Sequence, residues 1–348
     1  MIKKSLYNIS WKCEESEYRK DPALSYSTLA RFEREGFNNL SKLFEQISTP
    51  SLTFGSAVDS IITGGMEEFN DRFMVAEYPK CSDTIKIIVT ALFKNLGEKY
   101  NNLEDIPNEY IINCATFYKY QLNWKPETRA KVIKEQGAEY YSLLFLSDKK
   151  IILSTKEHQD VINSVTALKE SKATEWYFQS DNPFENIERL YQLKFKACLE
   201  GIEYRVMADE IICNHDTKEI FLIDLKTSSH TEWDFFKSFI EWKYYHQARL
   251  YFRVIEYNLK RDEYFKDFKI HDYRFIVVNK HTLTPLVWEY PDTKKYGTLF
   301  YGRNQQIVCS DPFDVGKELS YYLSSRPKVP QGIKLNEENN IEEWLNKL

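Results

Sequence analysis

The chain has 348 residues, with 47 Lys and Arg against 52 Asp and Glu, for a formal charge of −5. That balance excludes a polybasic protein that binds nucleic acid through bulk charge, and a 43% hydrophobic share with 24 Tyr, 22 Phe and 7 Trp excludes a disordered one. Gly and Pro number 11 each, both below the usual roughly 7% and 5%, so glycine-rich phosphate loops are not expected. No G-x-G-x-x-G occurs, and Gly297 to Gly302 is followed by Arg303-Asn304 where a Walker loop needs Lys-Ser/Thr.

At about 100–200 residues per domain the length allows one large domain or two modest ones. The expected organisation is a mainly helical region over 1–150 and a sheet-bearing core over 151–348, joined in one compact domain. No run approaches the roughly 18 apolar residues of a membrane span, and Met1-Ile-Lys-Lys-Ser-Leu lacks the apolar core of a signal peptide, so the expectation is a cytoplasmic protein without a membrane partner. Six Cys (Cys13, Cys81, Cys114, Cys198, Cys213, Cys309) form no C-x-x-C pair, and six His show no H-E-x-x-H or H-x₃₋₅-H spacing. Zinc ribbons and iron–sulfur clusters are therefore disfavoured. A metal here would be held by carboxylates, which points to Mg²⁺ or Mn²⁺.

In chain order, Ser25 caps a helix carrying Leu29 and Phe32, and Phe37, Leu40, Leu43 and Phe44 continue its spacing. A second helix starts near Phe54-Gly55 and runs through Val58, Ile61 and Ile62 to Gly64-Gly65. Segments 84–100 and 105–121 are further helices. Tyr140 to Leu146 and Ile151 to Leu153 read either as a hairpin or as the start of a helix, and 155–179 is helical. Strand character is clearest in three successive runs, Ile187 to Leu199, Glu203 to Cys213 and Glu219 to Thr227, divided by Glu200-Gly201 and by Asn214 to Lys218. This pattern predicts an antiparallel meander. One long helix follows from Thr231 to about Leu259, and Tyr273 to Val278 with Leu286 to Trp288 supply later strands.

The chemistry sits in that meander. If its second and third runs pair about a turn centred between Asp216 and Thr217, Asp209 faces Asp224 across the strands, with Cβ atoms roughly 5 Å apart. Lys226, two residues beyond Asp224, shares its face. Two carboxylates so close among Ile211, Ile212, Phe221, Leu222 and Ile223 repel each other unless a cation lies between them. A divalent metal there would polarise a phosphodiester and help generate hydroxide, with Lys226 stabilising developing charge or orienting the attacking water. D-x-K alone is weak, because it also begins at Asp148, Asp216, Asp267 and Asp292, all in polar or charged surroundings. Only Asp224 has both an apolar strand and a second Asp at hairpin register. On the long helix, Gln247 and Tyr251 share a face with Tyr244 and can hydrogen-bond the lysine or a phosphate.

Asp209, Asp224-Leu-Lys226-Thr227 and Gln247-Ala-Arg-Leu-Tyr251 resemble the D, D-x-K-T and Q-x-x-x-Y motifs of the PD-(D/E)XK nuclease superfamily, and most of all its exonuclease VIII (RecE) and RecB-like branch. Leu24-Ser-Tyr-Ser-Thr-Leu29 resembles that branch's opening helix. Phe54-Gly-Ser-Ala-Val-Asp59, with Phe69, Phe73 and Val75 after it, resembles its F-G-x-x-x-H helix and the segment that follows. The likeness covers about residues 24–280. It implies an α/β fold with a restriction-endonuclease-like core, a central mixed sheet flanked by helices, around residues 185–280. It implies an enzyme, a Mg²⁺-dependent deoxyribonuclease with Mn²⁺ as substitute, that digests linear double-stranded DNA from its ends, 5′ to 3′, in phage-type recombination. Ring-shaped homo-oligomers and a single-strand annealing partner come with the same resemblance. Metal would be held by Asp209, Asp224, the Leu225 carbonyl and Asp59, the last standing where the family has His. Lys226, Gln247 and Tyr251 complete the catalytic set.

Weaker candidates are Arg205, on the face of Asp209, and Tyr244 as substrate contacts, with Glu188 at the start of the meander. Lys194, Lys196, Lys237, Lys243, Arg249 and Arg253 are candidate backbone contacts, although Arg189 to Lys260 holds eleven basic and eleven acidic residues. Trp233, Trp242, Phe235 and Phe236 read as core rather than base-stacking platforms. Processive threading would require bases to line a channel towards Asp224. The rival readings are an endonuclease on the same fold and a non-catalytic DNA-end binder or assembly subunit with a decayed site.

Overall fold

The computed structural model describes residues 4–36, 40, 43–45, 47, 49–179, 186–290, 297–301 and 305–325. Helices α1 (Glu15–Lys20), α2 (Tyr26–Glu35) and α3 (Pro50–Arg72) open the chain. Strand β1 (Phe73–Val75), helices α4 (Asp83–Leu96), α5 (Asn108–Phe117) and α6 (Pro126–Leu146), strand β2 (Ile151–Leu153) and helix α7 (Thr155–Glu170) follow. Then come β3 (Ile187–Leu199), β4 (Ile202–Asn214), β5 (Glu219–Ser228), α8 (Phe235–Glu241), α9 (Tyr244–Lys260), β6 (Lys269–Ile270), β7 (Arg274–Asn279), β8 (Pro285–Glu289), β9 (Gly297–Tyr301), β10 (Gln305–Cys309) and α10 (Pro312–Ser325). Among the described residues no helix is long and apolar enough to cross a membrane.

Two compact units result: residues 1–68 with 160–327, and a unit whose described part is 69–159. The division differs from the expected single body with a boundary at residue 150. In the second unit α4, α5 and α6 bury Ile85, Ile88, Leu92, Ile111, Cys114, Ile133 and Tyr141 against one another. β1 and β2 pair in parallel there, Phe73 to Ile151 and Val75 to Leu153. Tyr140 to Leu146 therefore ends a helix, and Ile151 to Leu153 is not half of a hairpin.

The first unit is mixed α/β. Its six-stranded sheet runs β3-β4-β5-β7-β8, with β6 also on β5. β3, β4 and β5 form the expected antiparallel meander, and β4 meets β5 from Asn214↔Glu219 to Glu210↔Ile223. β5 and β7 are parallel, Ile223↔Arg274 to Ser228↔Asn279, and the segment through α8 and α9 supplies the long crossover that parallel neighbours need. Apolar residues alternating along the strands (Phe195, Val206, Ile211, Leu222, Phe275, Val277) and the inner face of α9 (Ala248, Phe252, Ile255) form one buried core.

Three boundaries fall elsewhere than the periodicity suggested. Helix α2 stops at Gly36, whose φ of 67° places it in the left-handed region favoured by glycine. Leu43 and Phe44 lie in a turn beyond it, and Phe37 lies outside the described residues. Helix α3 begins at Pro50, ahead of the expected start near Phe54, and non-helical backbone at Gly65 (φ 73°) interrupts it where the paired glycines were expected to stop it, with a second helical stretch running on to Arg72. The single helix expected from Thr231 to Leu259 is two, because Lys243 takes a left-handed φ of 59° between α8 and α9. Contacts from α2 hold that break. The Tyr26 hydroxyl donates to the Trp242 carbonyl, and Glu33 receives Lys243 Nζ at 3.5 Å and His246 Nε2 at 2.8 Å. Although burial would raise the Glu33 carboxyl, the hydrogen bonds from His246 and Ser310 bring it down to about 2. This anchored break sets the rotation of α9, and so the direction in which Gln247 points.

Candidate functional site

The site begins where the sheet forks. The β4–β5 ladder ends at Glu210↔Ile223; beyond it β4 continues with β3, and β5 continues with β7. Asp209 and Asp224 are the next residue on each strand, so the register predicted from the turn holds up to the fork. Past that point side chains take over from the ladder: the Leu225 N–H donates to Asp209 Oδ2 at 2.9 Å. Main-chain N–H and C=O of one residue in an extended strand point to the same neighbour, so the Leu225 carbonyl also opens towards Asp209.

Asp224 is fully buried. Its carboxylate receives Gln247 Nε2 and the Lys226 ammonium, and it shares a hydrogen bond with Asp209. Burial pushes the Asp209 carboxyl well up, and the negative charges of Asp224 and Asp59 push it further. Burial likewise raises Asp224, against the opposing pull of Lys226 and of the hydrogen bonds from Asp209 and Gln247. Both shifts run in the direction expected of carboxyls in contact at low dielectric, which disfavours two bare negative charges there. Burial would lower Lys226, but the Asp224 charge, with Tyr244 and Asp209 behind it, outweighs it and the ammonium titrates above its ordinary range.

Helix α9 supplies the wall. Gln247 is buried and hydrogen-bonded to Tyr251, one turn on, and the Tyr244 ring lies 4.9 Å from Lys226 Nζ. Tyr251 is buried, with its hydroxyl pushed well up first by burial and then by the Tyr18 and Asp224 charges. Tyr244 stacks on Phe275 at 5.6 Å. It supports Lys226 from the core side, a different place from the substrate contact expected of it.

Asp59 reaches the neighbourhood from α3. Gly55 precedes it by four residues and so shares its helix face. A Cβ at Gly55 would meet Thr227 Oγ1 at 3.2 Å, so the glycine is what lets α3 lie against β5 beside Lys226. Gly55→Leu is therefore expected to destabilise the protein by about 1–3 kcal/mol through overpacking, whereas Gly55→Ala should have a much smaller effect. Thermal unfolding checks this, and an unchanged melting temperature in the leucine variant would mean that α3 does not lean on β5 there.

Asp59, Asp209, Leu225, Ile223 and Tyr191 line one small cavity. The Asp59 carboxylate is held by Gln192, whose Nε2 lies 3.0 Å from Oδ2 and 3.3 Å from Oδ1. Gln192 is a residue the motifs do not include. Its signal lies in the first hairpin, where pairing about the Glu200-Gly201 turn sets it opposite Asp209.

Several expected contacts lie elsewhere. Arg205 is buried, and its guanidinium donates to the carbonyls of Ala23 (2.9 Å) and Tyr18, so it is a structural tie between β4 and the N-terminal segment, not an open phosphate contact. Glu188 accepts from the Leu6 N–H and lies 3.5 Å from His215. Lys196, Lys237, Arg249 and Arg253 pair with Asp21, Asp234, Asp311 and Glu256, and Lys194 donates to the Cys13 carbonyl. Arg249 is buried and the other bases are partnered by acids or a carbonyl, so they give threading no support. Phe235 is core, but Trp233 is 84% exposed and Trp242 44%, the latter beneath Arg34 at 5.1 Å. Those two tryptophans are surface residues: Trp233 lies in the turn before α8, and Trp242 caps the C-terminus of α8 at the break.

The donor set fits Mg²⁺. That ion is held by one or two carboxylates and completed by water and substrate phosphate, not by an all-protein cage. Asp209, Asp224 and the Leu225 carbonyl supply hard oxygens in that pattern. Among the described residues no three His, Cys, Asp or Glu side chains converge as a preformed metal cage, and Asp59 lines the same small cavity as Asp209.

No protein-family model matches the chain, and no curated protein is similar to it. Among solved structures, that of a candidate exonuclease from Eubacterium rectale aligns with 90% of this chain and 84% of its own, at 12% identity and a TM-score of 0.40. The likeness is distant, and neither family nor chemistry follows from it.

Proposed function

We propose that this protein is a Mg²⁺-dependent deoxyribonuclease of the PD-(D/E)XK type that hydrolyses linear duplex DNA from its ends. The observation that carries the reading is the fork of β4 and β5, where Asp209, Asp224 and Lys226 meet in a buried pocket backed by Gln247 and Tyr251. Bound Mg²⁺ would polarise the scissile phosphate and lower the pKa of an attacking water. Asp209 and Asp224 bind the ion, with the Leu225 N–H fixing the first and Gln247 the second. Tyr251 fixes Gln247. Lys226 offers its ammonium to the charge that develops on the phosphate.

Digestion from an end separates this reading from an endonuclease on the same fold. With Mg²⁺ the purified protein is expected to degrade linear duplex DNA and to spare covalently closed circles of the same sequence. End-labelling at either the 5′ or the 3′ terminus reads the polarity, proposed as 5′ to 3′. Degradation of circles at the linear rate would overturn the exonuclease assignment. Ring assembly and delivery of single strands to an annealing protein rest on the sequence resemblance alone.

One rival is a non-catalytic DNA-end binder, in which Asp59 in place of the resembled family's His marks a decayed site. That rival predicts end binding without Mg²⁺-dependent loss of nucleotides.

A further inference from the structure

We propose that Gln192 is a positioning residue for Asp59, turning that carboxylate towards the cation held by Asp209 and Asp224. This inference rests on the proposed cation site.

Three observations meet at this side chain. First, Gln192 lies inside β3 with a left-handed φ of 53°. Its neighbours keep register, Tyr191 with Glu210 and Leu193 with Ala208, while Gln192 itself, opposite Asp209, drops out of the ladder. A Cβ-bearing residue is disfavoured in that conformation and glycine is not. Strain of this kind persists where the surroundings over-determine it, most often at a functional site. Second, the strained backbone delivers one N–H group to Asp59, at 3.0 Å from Oδ2 and 3.3 Å from Oδ1. Contact with both oxygens fixes the orientation of the carboxylate. Third, the donor is neutral. An Arg or Lys in its place would neutralise Asp59 and compete with a cation, whereas a carboxamide orients the carboxylate and leaves its charge intact. Partners outside the coordination sphere work in this way on ligating carboxylates elsewhere.

Mn²⁺ titration of the DNA-free protein by calorimetry tests the assignment without recourse to activity. Gln192→Gly relieves the backbone, and Gln192→Asn tolerates the same φ but is one methylene too short to reach Asp59. Both variants are expected to bind Mn²⁺ about ten- to a hundredfold more weakly than the native protein. The glycine variant should melt no lower than the native protein, which a purely structural role for Gln192 would not allow. In an Asp59→Ala background, Gln192→Gly should produce no further loss, because the residue acts through Asp59. Asp224→Asn serves as the control for the site itself. If Asp224→Asn loses Mn²⁺ while Gln192→Gly binds it at native affinity, the role of Gln192 is overturned and the cation site stands. An equal loss from Gln192→Gly with and without Asp59 also overturns the role. If the native protein binds no Mn²⁺, the cation site and this inference fall together.

Discussion

Asp224→Asn is expected to lower Mg²⁺-dependent hydrolysis of linear duplex DNA by about a thousandfold or more, with the fold intact. Asp224 is fully buried and shares a hydrogen bond with Asp209 at the fork. An amide keeps the size and can still accept from Gln247, but it offers a cation no charge, and loss of one preorganised electrostatic element typically lowers the rate by about 10²–10³. The further loss of a charged cation ligand makes a thousandfold the conservative figure. Stability should change little, because two effects oppose each other. Neutralising Asp224 removes the repulsion that pushes Asp209 up, yet it leaves the Lys226 ammonium without its counter-ion. Rates on end-labelled duplex and thermal unfolding of the same preparation read both quantities. A variant that kept more than about a tenth of the native rate would remove Asp224 from the reaction, since no electrostatic element of this kind is worth so little.

Residues that act through alternation and turn symmetry were legible in the chain, and those that act through backbone exceptions were not. Asp209 and Asp224 could be paired because the polar turn at Asp216-Thr217 sets the register of a hairpin, and β4 and β5 follow it. Gln247 and Tyr251 could be placed on one face because helical spacing survives whatever the helix packs on. Lys243 and Gln192 carry left-handed φ values without being glycine or asparagine, so neither residue type signals its own conformation. The first hid the break between α8 and α9, and the second hid the hydrogen bonds to Asp59. Arg205 failed for a further reason. Strand alternation gives its face correctly, but not that the segment at Leu24 would lie alongside β4, where the Leu24 N–H bonds the Glu203 carbonyl and the Ala23 carbonyl takes the guanidinium. Such long-range cover has no periodicity to betray it.

Lys226→Met is expected to move activity and cation affinity in opposite directions. Burial alone would favour a neutral amine, but Asp224 outweighs it and holds the group as an ammonium above its ordinary range. A lysine held in that state donates and stabilises negative charge; it does not accept a proton. Its removal should therefore lower hydrolysis by about a hundredfold or more, the scale of one lost electrostatic contact to the reacting group. The same change deprives a buried carboxylate of its partner, which in buried pairs costs about 3–5 kcal/mol when the remaining charge stays uncompensated. In the cation-free protein Asp224 must then take up a proton or lower the stability. Mn²⁺ offers a third way to compensate it, so the variant should bind the ion more tightly than the native protein and regain melting temperature as the ion is added, in proportion to the logarithm of its concentration over the dissociation constant. Calorimetric titration and unfolding with and without Mn²⁺ measure the two effects on one sample. A variant that lost activity and Mn²⁺ affinity together would make Lys226 part of the framework of the cation site, and the charge-stabilising role assigned to it would fall.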